Sequence, residues 1–392
     1  MKLIVVGLGQ CGGRIADEFE RLNRRAHSLR GIDIIVDSFA VNTDSTDLAG
    51  IQSISPNYQH RILIGTGATH GHGVAKISEV GADIAREDAD KVLDAMRANP
   101  RFFESDAFLL IAGAAGGTGS GATPVMAKAI KERFSDKPVY TLVVLPFEHE
   151  EVTEERALYN TAVCLKSIYQ VADAVILVDN QRYVRKDFSL KDNLSKINAL
   201  IVDPFYNLLC AGEEKKASHV GAKTLDAGDI IQTLLGWTVI GYGEAKLKFK
   251  LPFGTSTFRD KSSETHAGIQ AMDEAISDLS TRCNPKDASR AMYLLSAPAK
   301  EINMDLVKEL GDWLKDLAPN AIIRNGDYPR ESGVMNVTLI LSELSDVEKV
   351  RRYYNESTDL IPIIKQRQND VKSKLQNIDE VGKDIPSLLQ EE

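Results

Sequence analysis

Short apolar runs alternate with longer stretches of helical periodicity through the first half of the chain. The runs are continuously apolar, which is typical of strands that are buried on both faces of a parallel sheet. Six such strands are predicted, at Leu3–Val6, Ile34–Val41, Arg61–Ile64, Ala107–Ala112, Val139–Leu145 and Ala174–Val178. Helical patterns lie between them, at Gly13–Arg24, Val74–Ala98, Ala122–Phe134 and Val152–Val171. The alternation predicts an α/β domain whose Rossmann-like parallel sheet is covered by helices on both faces.

The pattern changes in the second half of the chain. A long helix is predicted at Lys191–Ala211, and at about 1.5 Å per residue it spans on the order of 30 Å. The elements predicted after it are a strand near Thr238–Tyr242, a helix Glu264–Ser280, a strand Ala291–Ala297, a helix Asn303–Leu317 and strands near Ala321–Arg324 and Val334–Leu341. We therefore expect a smaller, C-terminal α+β domain. The predicted divisions are a parallel-sheet domain at 1–190, a central helix at 191–212, a loop and short helix at 213–236, the α+β domain at 237–345 and a charged helical segment at 346–392.

Amino-acid composition limits the functional classes to which the protein can belong. The chain carries a net charge of −9, which disfavours a surface for binding nucleic acid. Its four cysteines are scattered without C-x-x-C spacing, so neither a zinc site nor a disulfide framework is indicated. The apolar run at the N-terminus is short enough for a strand, and no run approaches the length of a membrane span. We expect a cytoplasmic protein that neither binds nucleic acid nor inserts into a membrane.

Three glycine-rich loops follow predicted strands, at 7–13, 65–73 and 115–121. The third reads A-G-G-T-G-S-G, and it lacks the lysine of the G-x-x-x-x-G-K-[ST] phosphate loop. Glycines leave backbone N–H groups free to turn towards an anion, and a following helix N-terminus adds a favourable dipole. Ligands of parallel sheets bind at the carboxyl ends of the strands, where these loops lie. The loops therefore predict a nucleotide site.

The residues alone leave another class of protein open. Gly7-x-Gly9-x-x-Gly12 after a strand matches the dinucleotide fingerprint, and Asp44 could hold a ribose hydroxyl. This pattern is typical of an NAD-dependent oxidoreductase. That interpretation gives no role to the loop at 116–121.

Taken together, the loops resemble those of the tubulin/FtsZ superfamily, and most closely the archaeal CetZ group. Ala115-Gly-Gly-Thr-Gly-Ser-Gly121 is similar to the superfamily's G-G-G-T-G-[ST]-G loop. Gly9-Gln-Cys-Gly12 and Val178-Asp-Asn180 are similar to tubulin, whereas Asn42-Thr-Asp44 and Leu145-Pro-Phe147 are closer to FtsZ. The resemblance implies an N-terminal GTPase domain, a long central helix and a smaller α+β C-terminal domain.

The resemblance also implies GTP and GDP as ligands, with Mg²⁺ as the cofactor. It assigns the phosphates to the three glycine loops. The implied residues are Gly9, Gln10, Cys11 and Gly12 at the α- and β-phosphates, Gly116, Gly117, Thr118, Gly119 and Ser120 around the phosphate chain, and Ala68 and Thr69 at the γ-phosphate. Asp44 would orient Mg²⁺ through water, because Mg²⁺ usually keeps several waters and binds phosphates.

At the other end of the nucleotide, Asn198 matches the helix asparagine that contacts guanine in the family. Its amide offers both a donor and an acceptor. For the ribose we take Glu155, while Glu150 and Glu154 lie close enough in sequence to serve instead.

The chain also departs from the family pattern at two positions of this site. Ala115 replaces the first glycine of the usual triplet, so the loop must use a backbone angle there that alanine tolerates. Leu194 stands where we expect the aromatic residue that often stacks on the base.

Catalysis is implied at Thr224-Leu-Asp-Ala-Gly-Asp229, which resembles the N-x-D-x-x-D loop with which family members activate water. Asp226 and Asp229 would polarise and position the water that attacks the γ-phosphate. Thr224 replaces the asparagine of the motif. By spacing alone, Asp226 or Asp229 could instead cap the helix that carries the apolar run 230–235.

The position of this loop predicts assembly. It follows the far end of the helix that carries Asn198, so its carboxylates are roughly 30 Å from the base and cannot reach the chain's own γ-phosphate. They can reach the phosphate of a neighbour stacked head to tail, and such a contact generates a filament. The resemblance thus implies a self-polymerising GTPase with a role in cell shape or a related cytoskeletal process. A filament protein with little hydrolysis is the alternative, if Thr224 and Ala115 impair the reaction.

Overall fold

The computed structural model describes residues 1–184, 190–247 and 258–382, except for the side chains of 155, 190–193, 258–264, 365 and 367–382. Among these residues there are ten strands: β1 (Leu3–Leu8), β2 (Ile35–Asn42), β3 (Arg61–Leu63), β4 (Ala107–Gly113), β5 (Val139–Leu145), β6 (Ala174–Asp179), β7 (Gly236–Lys246), β8 (Ala288–Ala297), β9 (Ile322–Pro329) and β10 (Val334–Leu344). The α-helices of the same ranges are α1 (Gly9–Arg30), α2 (Ser45–Ala49), α3 (Thr66–Thr69), α4 (Ser78–Glu87), α5 (Ala89–Arg97), α6 (Thr118–Arg133), α7 (Glu148–Thr153), α8 (Glu155–Tyr169), α9 (Leu190–Ala211), α10 (Ala227–Thr233), α11 (Phe258–Ser277), α12 (Met304–Leu317) and α13 (Glu348–Gly382).

The strands lie in one sheet with the order β3-β2-β1-β4-β5-β6-β7-β10-β8-β9. The first six are parallel, and each is connected to the next through helical structure. The predicted α/β fold with a parallel N-terminal sheet is therefore confirmed. Because each connection returns the chain to the same edge, the loops after β1, β2, β3 and β4 share the carboxyl edge of the sheet.

Both faces of the parallel sheet are buried, as the continuous apolar runs predict. Leu3 faces the core that contains α1 and α9, whereas its neighbour Ile4 faces the core that contains α4, α5 and α6. The rings of Phe19 on α1 and Phe205 on α9 meet edge to face, with centroids 5.3 Å apart. The long helix α9 packs against α1 here and also contacts the sheet directly, where the Thr338 hydroxyl on β10 donates to the Pro204 carbonyl.

Strand β7 joins the two halves of the sheet. Its first residues, from Gly236, pair in parallel with β6, and the strand then continues as the antiparallel partner of β10. Strands β8 and β9 complete this second half as a parallel pair. None of the helices in the described part of the chain is long and apolar enough to cross a membrane.

Two predicted helices are wrong in extent. The stretch predicted as one helix at Val74–Ala98 forms α4 and α5, because Asp88 between them has a non-helical backbone (φ −101°, ψ 10°). The Asp88 carboxylate accepts the N–H of Gly65 at 2.7 Å, which ties the break to the glycine loop at 65–73. The stretch predicted at Val152–Val171 begins within the last turn of α7, is interrupted at the extended residue Glu154 and continues as α8.

Candidate functional site

The glycine loops after β1 and β4 lie side by side at the carboxyl edge of the sheet. Gly9 begins α1 with a left-handed φ of +71°, and a Cβ there would stand 2.9 Å from the backbone N of Gly119. A Cβ at Gly12 would stand 2.0 Å from the carbonyl oxygen of Ile111 in β4. The predicted residues Gln10 and Cys11 belong to the same first turn of α1. Only backbones without side chains approach this closely, so the two loops form a cradle lined by main-chain groups.

Both loops run directly into helices. The predicted residues 118–120 form the first turn of α6, and Gly117 precedes it as the N-cap. First-turn N–H groups have no partner within a helix, and they carry the positive end of the helix dipole. The N-termini of α1 and α6 therefore direct backbone N–H donors towards the same place, which is what binding of a phosphate chain requires. Ala115 keeps its backbone outside the left-handed region, so the substitution of glycine by alanine causes no strain there.

The glycine loop at 65–73 is linked through Thr43 to the A-G-G-T-G-S-G loop. The hydroxyls of Thr43, after β2, and Thr118 are 2.7 Å apart and buried. Thr69 donates its hydroxyl to the Thr43 carbonyl at 3.2 Å. The loop that carries Ala68 and Thr69 thus reaches the same edge as the phosphate cradle, and Ala68 is exposed there.

Asp44 lies between these loops as the N-cap of α2. Its Oδ1 accepts the N–H groups of Thr46 at 2.8 Å and Asp47 at 3.0 Å. Asp47 in turn accepts a hydrogen bond from the Gln10 amide at 2.5 Å. Among the described residues, no group of three His, Cys, Asp or Glu side chains could hold a metal alone. A lone carboxylate beside a phosphate cradle is compatible with Mg²⁺, which binds phosphate oxygens and water more than protein cages.

A buried asparagine that the sequence analysis did not select organises this edge. Asn160 on α8 is fully buried, and its amide nitrogen donates to the carbonyls of Lys76, Ala115 and Gly116 at 2.9, 3.0 and 3.1 Å. Its amide oxygen accepts the Ser78 hydroxyl at 3.0 Å. One side chain therefore fixes the A-G-G-T-G-S-G loop against the segment that leads into α4. No sequence spacing reveals this role, because the packing of α8 brings the groups together.

A cavity of about 290 Å³ lies at the same edge of the sheet, among the start of α7, the turn after β6 and α9. Among the described residues its lining combines apolar and aromatic side chains with polar ones, and consists of Phe147, Glu148, His149, Gln181, Val184, Leu194 and Ile197. The rings of Phe147 and His149 are stacked with centroids 5.5 Å apart. Leu194, at the position where an aromatic residue was expected, lines the cavity from α9. Phe147 and His149 line it from the start of α7. Asn198 follows Ile197 on α9 and is half-buried.

The three candidate ribose carboxylates have different surroundings. Glu150 accepts the N–H of Phe147 at 2.9 Å and so caps its own helix. Glu154 pairs with Lys76. The side chain of Glu155 lies outside the described residues, so its role stays a prediction.

Burial, together with the nearby Glu150 carboxylate, raises the pKa of the Cys11 thiol to about 12, so Cys11 is neutral near pH 7.

Asp226 and Asp229 lie at the opposite edge of the sheet. Helix α10 ends just before β7, and β7 begins beside the amino end of β6, where Gly236 N–H donates to the Asp173 carbonyl at 2.8 Å. Asp226 is the N-cap of α10, and its Oδ1 accepts the N–H of Asp229 at 2.9 Å. The helix-cap alternative is therefore correct for Asp226. It does not exclude catalysis, because Asp226 is exposed and Asp229 is half-buried.

The loop that carries these acids is anchored to the second half of the sheet. The Asp327 carboxylate on β9 accepts the N–H groups of Lys223 at 2.6 Å and Ala222 at 3.0 Å. Leu225 is buried beneath the loop. Arg324, also on β9, places its Nε 3.6 Å from a carboxylate oxygen of Asp229. The structure thus brings the predicted phosphate residues together and holds the predicted catalytic acids away from them.

Comparisons with known proteins agree with this architecture. Residues 2–186 match the family model described as the GTPase domain of the Tubulin/FtsZ family, and residues 187–359 match that of the Tubulin-like CetZ C-terminal domain. The chain is 30% identical to Tubulin-like protein CetZ5 of Haloferax volcanii, over 89% of this chain and 90% of the relative.

Two solved structures from Haloferax volcanii share the fold. CetZ1, described as a GDP-bound monomer, has a TM-score of 0.78 and 28% identity, covering 92% of this chain and 99% of CetZ1. CetZ2, described as a GTPγS-bound protofilament, has a TM-score of 0.80 and 27% identity, covering 93% of this chain and 100% of CetZ2. With both domains matched in order, the chain belongs to the CetZ family of tubulin-like proteins.

Proposed function

We propose that this protein binds GTP and GDP with Mg²⁺, polymerises head to tail and hydrolyses GTP only where two subunits meet. The observation that carries the proposal is the separation of the two parts of the site. The phosphate cradle lies at the carboxyl edge of the sheet, while Asp226 and Asp229 lie at the amino edge. Helix α9 runs between these edges, from Leu194 at the cavity to Leu209 beside Met1, where β1 starts. A neighbour stacked in the same orientation unites the two parts.

In the proposed reaction, main-chain N–H groups of α1 and α6 bind the phosphates and stabilise the charge that develops on them. Asp226 and Asp229 of the next subunit position one water for in-line attack and accept its proton. Mg²⁺, when bound near Asp44, would neutralise phosphate charge. Thr224, in place of the family's asparagine, is exposed at the start of this loop and offers a hydroxyl there.

The solved relatives support both halves of the proposal. One is described with GDP as a monomer and another with GTPγS as a protofilament. These descriptions support guanine nucleotides as ligands and a second copy of the chain as the partner. We place the filament in the cytoplasm, and we propose a role in cell shape or a related cytoskeletal process. The unstrained backbone at Ala115 supports an active enzyme over the alternative of a filament with little hydrolysis.

Substitution of the two acids tests the proposal. Asp226→Asn and Asp229→Asn should bind GTP with unchanged affinity and should lose hydrolysis by on the order of a hundredfold, because acid–base groups typically contribute about 10²–10⁴. Asp136→Asn, an exposed acid elsewhere, is the matched control. Added to wild-type protein in excess, Asp226→Asn should lower turnover per wild-type site, since wild-type nucleotides would then face inactive neighbours. Undiminished turnover per wild-type site would refute the shared site.

A further inference from the structure

A buried charge cluster joins the first turns of α13 to the nucleotide-binding half of the molecule. The Glu151 carboxylate on α7 accepts a hydrogen bond from Arg352 at 2.7 Å and another from the Tyr353 hydroxyl. Lys349 places its Nζ 2.7 Å from Asp179 and 4.0 Å from Glu151. The side chain of Glu151 is only 7% exposed, and that of Asp179 is 12% exposed. Lys349 and Arg352 thus neutralise two carboxylates that belong to different segments, and the Tyr353 hydroxyl adds a hydrogen bond to one of them.

These carboxylates belong to α7 and to the end of β6, next to two of the segments that line the 290 Å³ cavity. Glu151 belongs to α7, whose residues Glu148 and His149 line the cavity. Asp179 ends β6, and its Oδ1 also accepts the N–H of Gln181 at 3.1 Å, so it fixes the turn that carries another lining residue. The two walls meet where the Glu148 N–H donates to the Gln181 amide oxygen at 3.3 Å.

The docked turns of α13 cannot leave their site one contact at a time. Tyr353 is fully buried, and Val347 and Val350 of the same segment are buried in the core that includes α8. If this part of α13 leaves its site, both carboxylates lose their cations together, and Glu151 also loses the Tyr353 hydroxyl. Lys349 lies within ion-pair distance of both carboxylates, so departure of the helix also removes the link between α7 and the end of β6. The docked position of the helix and the shape of the cavity therefore change together.

We propose that the first turns of α13 position the base end of the nucleotide site, so that docking of this helix and nucleotide affinity are coupled. The proposal rests on the proposed function, because it takes the cavity as the place of the base. Coupling of this kind is reciprocal. Bound nucleotide strengthens the docking of α13, and any partner that draws the helix away weakens nucleotide binding. Helix α13 extends to Gly382, well beyond its docked turns, and so gives such a partner a long segment to bind.

The test uses the full chain at a concentration too low for assembly, with a fluorescent GDP analogue as the probe. Lys349→Met removes the cation and keeps much of the aliphatic length, while Tyr353→Phe removes one hydroxyl and keeps the ring. Each should speed release of the analogue by about tenfold, within the usual range of coupling between sites. Arg351→Met is the matched control, because Arg351 lies in the same turn and is exposed. It should release the analogue at the wild-type rate.

A base-specific readout separates positioning from a general loss of stability. Lys349→Met should reduce the preference for GDP over ADP, because only the base end of the site is disturbed. In the wild-type protein, GDP should slow hydrogen exchange at the amides of 350–353, which tests the coupling without a substitution. Wild-type release rates and preference in both variants, or exchange unaffected by GDP, would overturn the inference. Failure of the wild-type chain to bind any guanine nucleotide would instead refute the proposed function.

Discussion

Single polar side chains fix the two edges of the molecule. Asn160 holds the proposed phosphate loop against the segment that leads into α4 through four hydrogen bonds, and Asp327 holds the proposed catalytic loop through two backbone N–H groups. The sequence motifs identify the loops that these residues support, since glycine-dense spacing carries its own physical meaning. They do not identify the supports, because a buried asparagine or aspartate acquires its partners only when distant segments pack together.

Asp327→Asn tests this support at the catalytic edge. The amide that replaces one carboxylate oxygen cannot accept a backbone N–H, so one donor of the loop loses its partner at a cost of about 1–3 kcal/mol. We expect lower kcat, measured by phosphate release, with unchanged affinity for GDP, because the loop is far from the cradle. Glu331→Gln, an exposed acid near the end of the same strand, should behave as wild type. Loss of GDP affinity in Asp327→Asn would contradict the separation of the two edges.

At the scale of elements, hydrophobic pattern determines most of the architecture. The six parallel strands are predicted to within a few residues, because each must be apolar on both faces. The breaks within Val74–Ala98 and Val152–Val171 are missed, because helical periodicity continues across them. Asp88 and Glu154 interrupt these helices through backbone angles and contacts to other segments, which periodicity does not encode.

The junction of β1 with α1 offers a test at this scale. Gly9→Ala forces a side chain into a left-handed backbone position and to 2.9 Å from the Gly119 nitrogen. We expect the loops to separate and GDP affinity, measured by fluorescence titration, to fall at least tenfold, since a strained residue of this kind costs about 1–3 kcal/mol. Gly333→Ala is the control, because a Cβ there meets nothing within 4 Å and φ is not left-handed. Full affinity in Gly9→Ala would show that the cradle does not bind phosphate.

Across the whole molecule, one continuous sheet and the long helix α9 hold the two edges at a fixed separation. Strand β7 pairs with β6 at its start and with β10 along the rest, so the anchor of the catalytic loop and the phosphate cradle belong to one body. A rigid chain with complementary parts at opposite ends can complete its site only by stacking. Sequence predicts this separation through the length of α9, whereas the anchoring of the loop by β9 becomes visible only in the structure.

The central claim is that the active site is shared between subunits. Its most direct test is the rate of GTP hydrolysis per subunit, measured with Mg²⁺ over a wide range of protein concentration. We expect a specific activity near zero at low concentration that rises above a threshold, where filaments sediment or scatter light. A specific activity that is independent of protein concentration would contradict it, because each chain would then be a complete enzyme.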